Sequence, residues 1–213
     1  MSTATELITE FELQVNDVTE LSTSEELIVM NRVYQRVCDD RPWEFLKTNA
    51  TGTMSSDATG YYITIPDDFA YFYENLNYTD NAYSTQINSA PKVIFVGTNY
   101  AAYPIINYAD RMQYRDRVGW CYLSLSEGKI RFTGTPQEFT YSMDYIKFPS
   151  ALVAGSTPVF PTRFQNILVF GMAADNEIIQ LSDKAKSYAP ENAALFQAQL
   201  DAMALWNANL ILN

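Results

Sequence analysis

The chain has no histidine and only two cysteines among its 213 residues. Without imidazole, the base of Ser–His–Asp and Cys–His machinery is missing, and so is the commonest side-chain metal ligand. Cys38 and Cys121 lie far apart in apolar segments. They read as buried thiols rather than a disulfide, and two isolated thiols cannot complete a zinc site. Charge is also scarce, at 18% of residues, below the usual quarter or so. Basic residues are the scarcer kind: 14 Lys and Arg stand against 25 Asp and Glu, for a net charge of −11. Such a chain is not built to hold nucleic acid by neutralising phosphates, although an acidic wall suits a passage that must not trap DNA. No apolar run approaches the roughly 18 residues of a membrane span. Residues 1 to 20 carry Glu6, Glu10, Glu12 and Asp17 without a basic stretch, so no signal peptide is read there. Synthesis in a cytoplasm and no membrane partner are the expectations.

The phosphate-cradling patterns GxxxxGK[ST] and GxGxxG are missing too. The acid pairs Asp39–Asp40 and Asp67–Asp68 are sequence neighbours, which do not face each other as a glycosidase pair must. Asp175, Glu177, Asp183 and Asp201 read as a solvated helix face rather than a cation site. No catalytic residue, metal or cofactor is expected, and the chain is not read as an enzyme.

What is present is a large apolar fraction, 47%, with 15 tyrosines. Tyrosine suits positions where the ring is packed and the hydroxyl stays wet, as on half-buried strands and at protein interfaces. Near the N-terminus, Ser22 or Ser24 can cap a helix with Glu25 and Glu26 in its first turn. Leu27, Met30, Tyr34, Val37 and Cys38 form one apolar face. Pro42 forces the helix to end near Asp39 or Asp40, where Arg41 can offset the two carboxylates.

From there to about residue 160, short alternating runs are broken by Gly, Pro, Asn and Asp. They predict strands at Tyr61–Ile65, Lys92–Val96, Tyr103–Tyr108 and Phe139–Tyr145, and a hairpin turning at Glu127–Gly128. After Pro161 helical spacing returns, with Phe164, Ile167, Leu168, Gly171 and Ile178 in an all-apolar run expected to be the most buried helix. Ser182 or Asp183 can cap a last segment, with Tyr188, Asn192, Leu195, Gln199, Met203, Trp206 and Leu210 on one stripe. Pro190 should break or kink it, unless it starts a second helix at its first position. The predicted fold class is α+β: residues 22–48 and 161–213, from both chain ends, form a helical bundle, and residues 49–160 form an inserted antiparallel β-sandwich or barrel.

Arg111, Arg115, Arg117, Lys129 and Arg131 make the one local concentration of positive charge, interleaved with Tyr108, Tyr114 and Trp120. On so acidic a chain, salt bridging to an acidic neighbour subunit is the favoured reading over nucleic acid.

Three stretches then carry a resemblance. "LIVMNRVYQRVCDDRPWEFLK", with Asn31, Arg32, Trp43 and Phe45, is similar to the N-terminal helix of the head-to-tail adaptors (connectors) of tailed bacteriophages, the group that includes the tail tubular protein A family. "FPTRFQNILVFGMAADNEIIQLSDKAKSYAPEN", with Pro161, Phe164, Ile167, Gly171 and Ala173, resembles that family's helix after a proline-marked strand. The closing helix through Trp206 follows in the same order.

The resemblance implies a structural virion protein at the head–tail junction, made in the host cytoplasm and assembled as a homo-oligomeric ring of twelve copies. It implies a portal protein above, a tail or nozzle protein below, and DNA passing through the lumen during ejection without specific binding. Expected partner-interface residues are Trp43 and Phe45 after the first helix, Arg111, Arg115 and Arg117 towards a neighbouring ring, and Trp206, Leu210 and Leu212 towards the portal. The alternatives are another tail-completion or stopper ring protein, or a carbohydrate-binding β module with Tyr61, Tyr71, Tyr73 and Trp120 as stacking platforms.

Overall fold

In a computed structural model of the chain, residues 2–15, 21–73, 92–175 and 183–212 are described. They fall into two compact units, one of residues 1–46 with 149–213, the other of residues 47–148.

In the first unit, α1 (Ala4–Val15) and α2 (Thr23–Asp39) come from the N-terminal end, and α3 (Asn166–Ala173) and α4 (Asp183–Leu212) from the C-terminal end. The sequence reading has no helix at α1, yet its signal is plain. Thr3 and Glu6 form a reciprocal cap, in which the Thr3 N–H donates to Glu6 Oε2 at 2.7 Å and the Glu6 N–H to Thr3 Oγ1 at 3.3 Å. Leu7, Ile8, Phe11 and Val15 then recur at helical spacing and are buried. A second such cap starts α2, where the Ser22 N–H donates to Glu25 Oε2 at 2.8 Å. At the other end of α2, Arg41 donates to Asp40 Oδ2 at 2.6 Å and offsets charge there, as expected.

The short α3 is the hub of this unit, and α1, α2 and α4 each pack on it. Ile167, Leu168, Val169, Met172 and Ala173 are all buried, so the all-apolar run is the most enclosed helix, as its sequence implied. An extended stretch before it laces the unit together. The Asn31 side chain takes an N–H from Leu152 at 2.6 Å and donates to the Leu152 carbonyl at 3.0 Å, much as a strand neighbour would. The Ala4 N–H donates to the Ser156 carbonyl at 2.8 Å.

The last helix runs through Pro190 as one element. It buries Asn192 and Met203 of the expected stripe together with Phe196, Leu200 and Asn207, a face rotated part of the way round from that stripe, so Tyr188, Leu195 and Leu210 stand exposed. Ile178, Ser182 and Glu177 lie outside the described residues.

The described residues of the second unit form nine strands: β1 (Lys47–Thr53), β2 (Ser55–Asp57), β3 (Gly60–Thr64), β4 (Phe69–Phe72), β5 (Val93–Val96), β6 (Ala101–Ile106), β7 (Cys121–Ser124), β8 (Lys129–Phe132) and β9 (Thr140–Lys147). They form one curled sheet in the order β1-β9-β5-β6-β7-β8-β3-β2, with β4 also on β9. One edge of β9 is taken along its length by β1; the other is shared, by β5 at Tyr141 and Ser142 and by β4 towards Lys147. The curl folds one face upon itself, and Met54, Ile63, Phe72, Ile94, Tyr103, Cys121, Ile130, Phe132 and Met143 fill it.

The predicted fold class is therefore corrected, although helices and strands are both present. The strands do not make a sandwich or closed barrel. They make a single mixed sheet, because β6 and β7 pair in parallel, Ile105 against Cys121. The helices gather on an eight-residue hub instead of lying side by side as a bundle. Residues 149–160 belong with the helices and not with the strands. Alternation of side chains reports which face is buried, but it is the same for parallel and antiparallel neighbours, so the sheet's closure was not legible.

Candidate functional site

Parallel neighbours cannot be joined by a tight turn; the chain must cross over with a dozen residues or more. Between β6 and β7 that crossover is Asn107–Trp120, and it carries all three arginines singled out in the sequence. A 3-10 helix, Tyr108–Met112, opens it. The crossover is then pinned to the end of β8. Thr133 Oγ1 donates to the Arg117 carbonyl at 2.6 Å, the Thr133 N–H to the Trp120 carbonyl at 2.9 Å, and the Gly134 N–H to the Arg115 carbonyl at 3.2 Å. Gly134 has φ +63°, and a Cβ there would stand 3.2 Å from the Val118 nitrogen. This close backbone approach demands glycine.

Aromatic rings steady the arginines. The Arg111 guanidinium lies 3.8 Å from the Tyr108 ring centroid and donates to the Tyr108 carbonyl at 2.7 Å. Tyr108 meets Tyr122 edge-on at 5.8 Å. Arg117 lies over Tyr114, which packs on Trp120 at 4.7 Å. Among the described residues, no carboxylate pairs with Arg111, Arg115 or Arg117. Exposed Tyr108, Met112 and Val118 stand among them.

Arg111, Met112, Arg115 and Asp116 form one wall of a cleft of about 380 Å³. The other walls are Ala58 and Thr59 from the β2–β3 turn, Tyr122 from β7, and Phe132 to Gly134 at the end of β8. The β2–β3 turn is held by Asp57, whose carboxylate accepts from Arg131 at 3.1 and 3.0 Å, from Lys129 at 2.8 Å and from Thr59. Arg131 is buried and also donates to Glu127 at 2.5 Å. The Arg131 guanidinium, with Lys129 and Thr59, holds the Asp57 carboxyl far below the usual carboxylate range. Of the five cations grouped by sequence, Lys129 and Arg131 are thus engaged within the protein. Arg111 and Arg115 line the cleft, and Arg117 sits beside it.

The other expected interface residues scatter. Trp43 is wholly buried, its indole N–H donating to the Val37 carbonyl at 2.7 Å, so it closes the end of α2 and has no surface to offer a partner. Phe45 is half-buried, stacked on Trp43 at 5.4 Å and edge-on to Phe160 at 5.9 Å. Trp206 packs on Phe164 at 5.8 Å with Arg163 over its ring. The neighbouring Asn207 joins α4 to the turn after α2 by accepting the Glu44 N–H at 2.8 Å. Leu210 is exposed, as is Leu205, which the sequence reading missed. The Leu212 side chain lies outside the described residues.

Of the stacking platforms of the carbohydrate alternative, Tyr61 stacks on Phe139 at 4.9 Å, Tyr73 carries Lys47 at 3.8 Å and Trp120 packs on Tyr114, while Tyr71 is exposed. Asp175 pairs with Arg32 at 3.4 Å, and no acid cluster able to hold a metal occurs among the described residues. Chemically, the cleft offers two guanidinium groups, hydroxyls and an exposed thioether, a set that can receive carboxylates and apolar side chains together. Comparison with protein-family models and with curated proteins gives no match for the chain.

Proposed function

We propose that the chain is a ring-forming subunit of a phage head-to-tail adaptor, seated at the head–tail junction between the portal and the tail or nozzle, with DNA passing through its lumen. The observation that carries this reading is the Asn107–Trp120 crossover. It sets three guanidinium groups, with no carboxylate partner among the described residues, beside exposed Tyr108, Met112 and Val118, on a chain of net charge −11. Arg, Tyr and Met are enriched where proteins meet. A cationic patch on an acidic body draws in another acidic body of the same kind and orients it.

The two chain ends support the same reading. They bury their apolar faces on α3 and leave Leu205 and Leu210 exposed on α4 for the portal. The acidic remainder suits a wall along which DNA slides. Native mass measurement with negative-stain imaging, on the chain alone and with portal protein, tests the proposal. Closed rings in either sample support it, and a monomer in both overturns it.

A further inference from the structure

We infer that the arginine cleft receives the acidic face of α1 from a second copy of the chain, joining subunits head to tail through one repeated contact. This inference rests on the ring reading above.

The cleft wall carries two cations, Arg111 and Arg115, against one anion, Asp116. Arg115 makes no side-chain hydrogen bond or ion pair among the described residues. Met112, between the two arginines, is 63% exposed. This surface has a complement elsewhere on the same chain. The α1 helix carries three glutamates and no Lys or Arg. With Leu7, Ile8, Phe11 and Val15 turned inward, helical spacing puts Glu6, Glu10 and Leu13 together on the outer face. Glu6 commits one oxygen to its cap, but Glu10 is exposed and has no partner among the described residues. Leu13, at 75% exposed, is the barest large hydrophobic side chain described. An outward leucine flanked by acids matches an outward methionine flanked by arginines: Glu10 seats on Arg115, and Leu13 on Met112.

The electrostatics select this pairing. Two bodies of −11 repel in most orientations. The orientation that sets α1 against the cleft brings opposite signs together at short range. The two patches differ, so the contact is heterologous, the kind that generates rings when its rotation closes. At about 380 Å³ the cleft is near the floor of the roughly 300–1,000 Å³ range of small-molecule sites, in keeping with a seat for one or two side chains.

The test is sedimentation velocity of the full chain and of Glu10→Arg and Arg115→Glu, with circular dichroism as the folding control. Both residues are exposed, so both variants fold. The wild type associates more strongly at about 50 mM than at about 500 mM salt. Each single variant presents like charges at the contact and loses about tenfold or more in self-association. An equimolar mixture regains it. The arginine introduced at position 10 of one variant then faces the glutamate introduced at position 115 of the other, while the wild-type pairing survives in the second contact. Variants that associate as the wild type does, or a mixture that fails to recover, overturn the inference. If rings persist in that case, the ring reading stands and the contact lies elsewhere, or the cleft serves an acidic segment of the portal or tail. A wild type that stays monomeric alone and with portal overturns both.

Discussion

Gly171 sits in the middle of α3, where glycine costs about 1 kcal/mol relative to alanine in an ordinary helix. Gly171→Ala should therefore stabilise the protein, were it not for its neighbours. A Cβ at this position would overlap Val33 Cγ1 of α2 and stand 3.0 Å from Phe196 Cδ2 and Cε2 of α4. Carbon atoms prefer about 3.5–4.0 Å. Val33 cannot swing aside cheaply, since a β-branched side chain in a helix has one strongly preferred rotamer. It is also buried, at 1% exposure.

The hub must then part from α2 or α4. Overpacking of this kind costs about 1–3 kcal/mol, and overlap with a rigid methyl argues for the upper end. Subtracting the propensity gain leaves a net loss of about 2 kcal/mol. At about 2–4 °C per kcal/mol for a chain of this size, the melting temperature falls by roughly 4–8 °C. Thermal and urea unfolding followed by far-UV circular dichroism measure this.

Val33→Ala alone removes buried methyl groups and costs about 2 kcal/mol. It also vacates the space the new Cβ needs, so the double variant should be more stable than the two losses summed, by about 1–2 kcal/mol. A Gly171→Ala protein as stable as the wild type, or a strictly additive double variant, would refute the close approach of the three helices.

Asp57 has its pKa lowered by Arg131, Lys129 and Thr59. A lowered carboxylate contributes stability that is present above the unfolded value, about 3.9, and is lost as pH falls below it towards the folded value. The gap in urea midpoint between wild type and Asp57→Asn should be full at about pH 6 and shrink steadily below about pH 4; a constant gap would show that Asp57 does not anchor the β2–β3 turn. Burial, with a smaller contribution from Asp39, pushes the Cys38 thiol up to about 12, and burial raises Cys121 further. Disulfide-exchange labelling at about pH 8 should therefore run on the order of a thousandfold slower in native than in urea-unfolded protein. Rapid labelling of either thiol in native buffer would contradict its burial.

Local chemistry was readable from the chain alone. A serine cap ahead of Glu25, the stop before Pro42, the apolar run around Leu168 and the glycine turn at Gly128 each follow from a few adjacent residues, and the structure has all four, choosing Ser22 over Ser24 as the cap. Helix α1 was equally legible from Thr3, Glu6 and the Leu7–Ile8–Phe11–Val15 spacing. Its acids carry two signals at once, charge and a cap, and only the cap marks a helix. The concentration of arginines was visible too, because five cations within a short stretch of a −11 chain stand out in one dimension.

Which of those cations remain available could only be decided in three dimensions. Asp57 lies far from Arg131 in sequence, and only the β3–β8 pairing brings the β2–β3 turn over it. The same holds for Trp43: beside a proline it looks like a surface aromatic, but the carbonyl its indole needs is offered by the last turn of α2. The parallel contact of β6 with β7 likewise leaves no local signature, since strand partners are chosen by the whole sheet. That one contact turns Asn107–Trp120 from a loop into a crossover and so creates the cleft. Sequence sets what each segment prefers within a few turns of chain; tertiary structure decides which distant groups meet, and with them which charges are neutralised and which are left to bind.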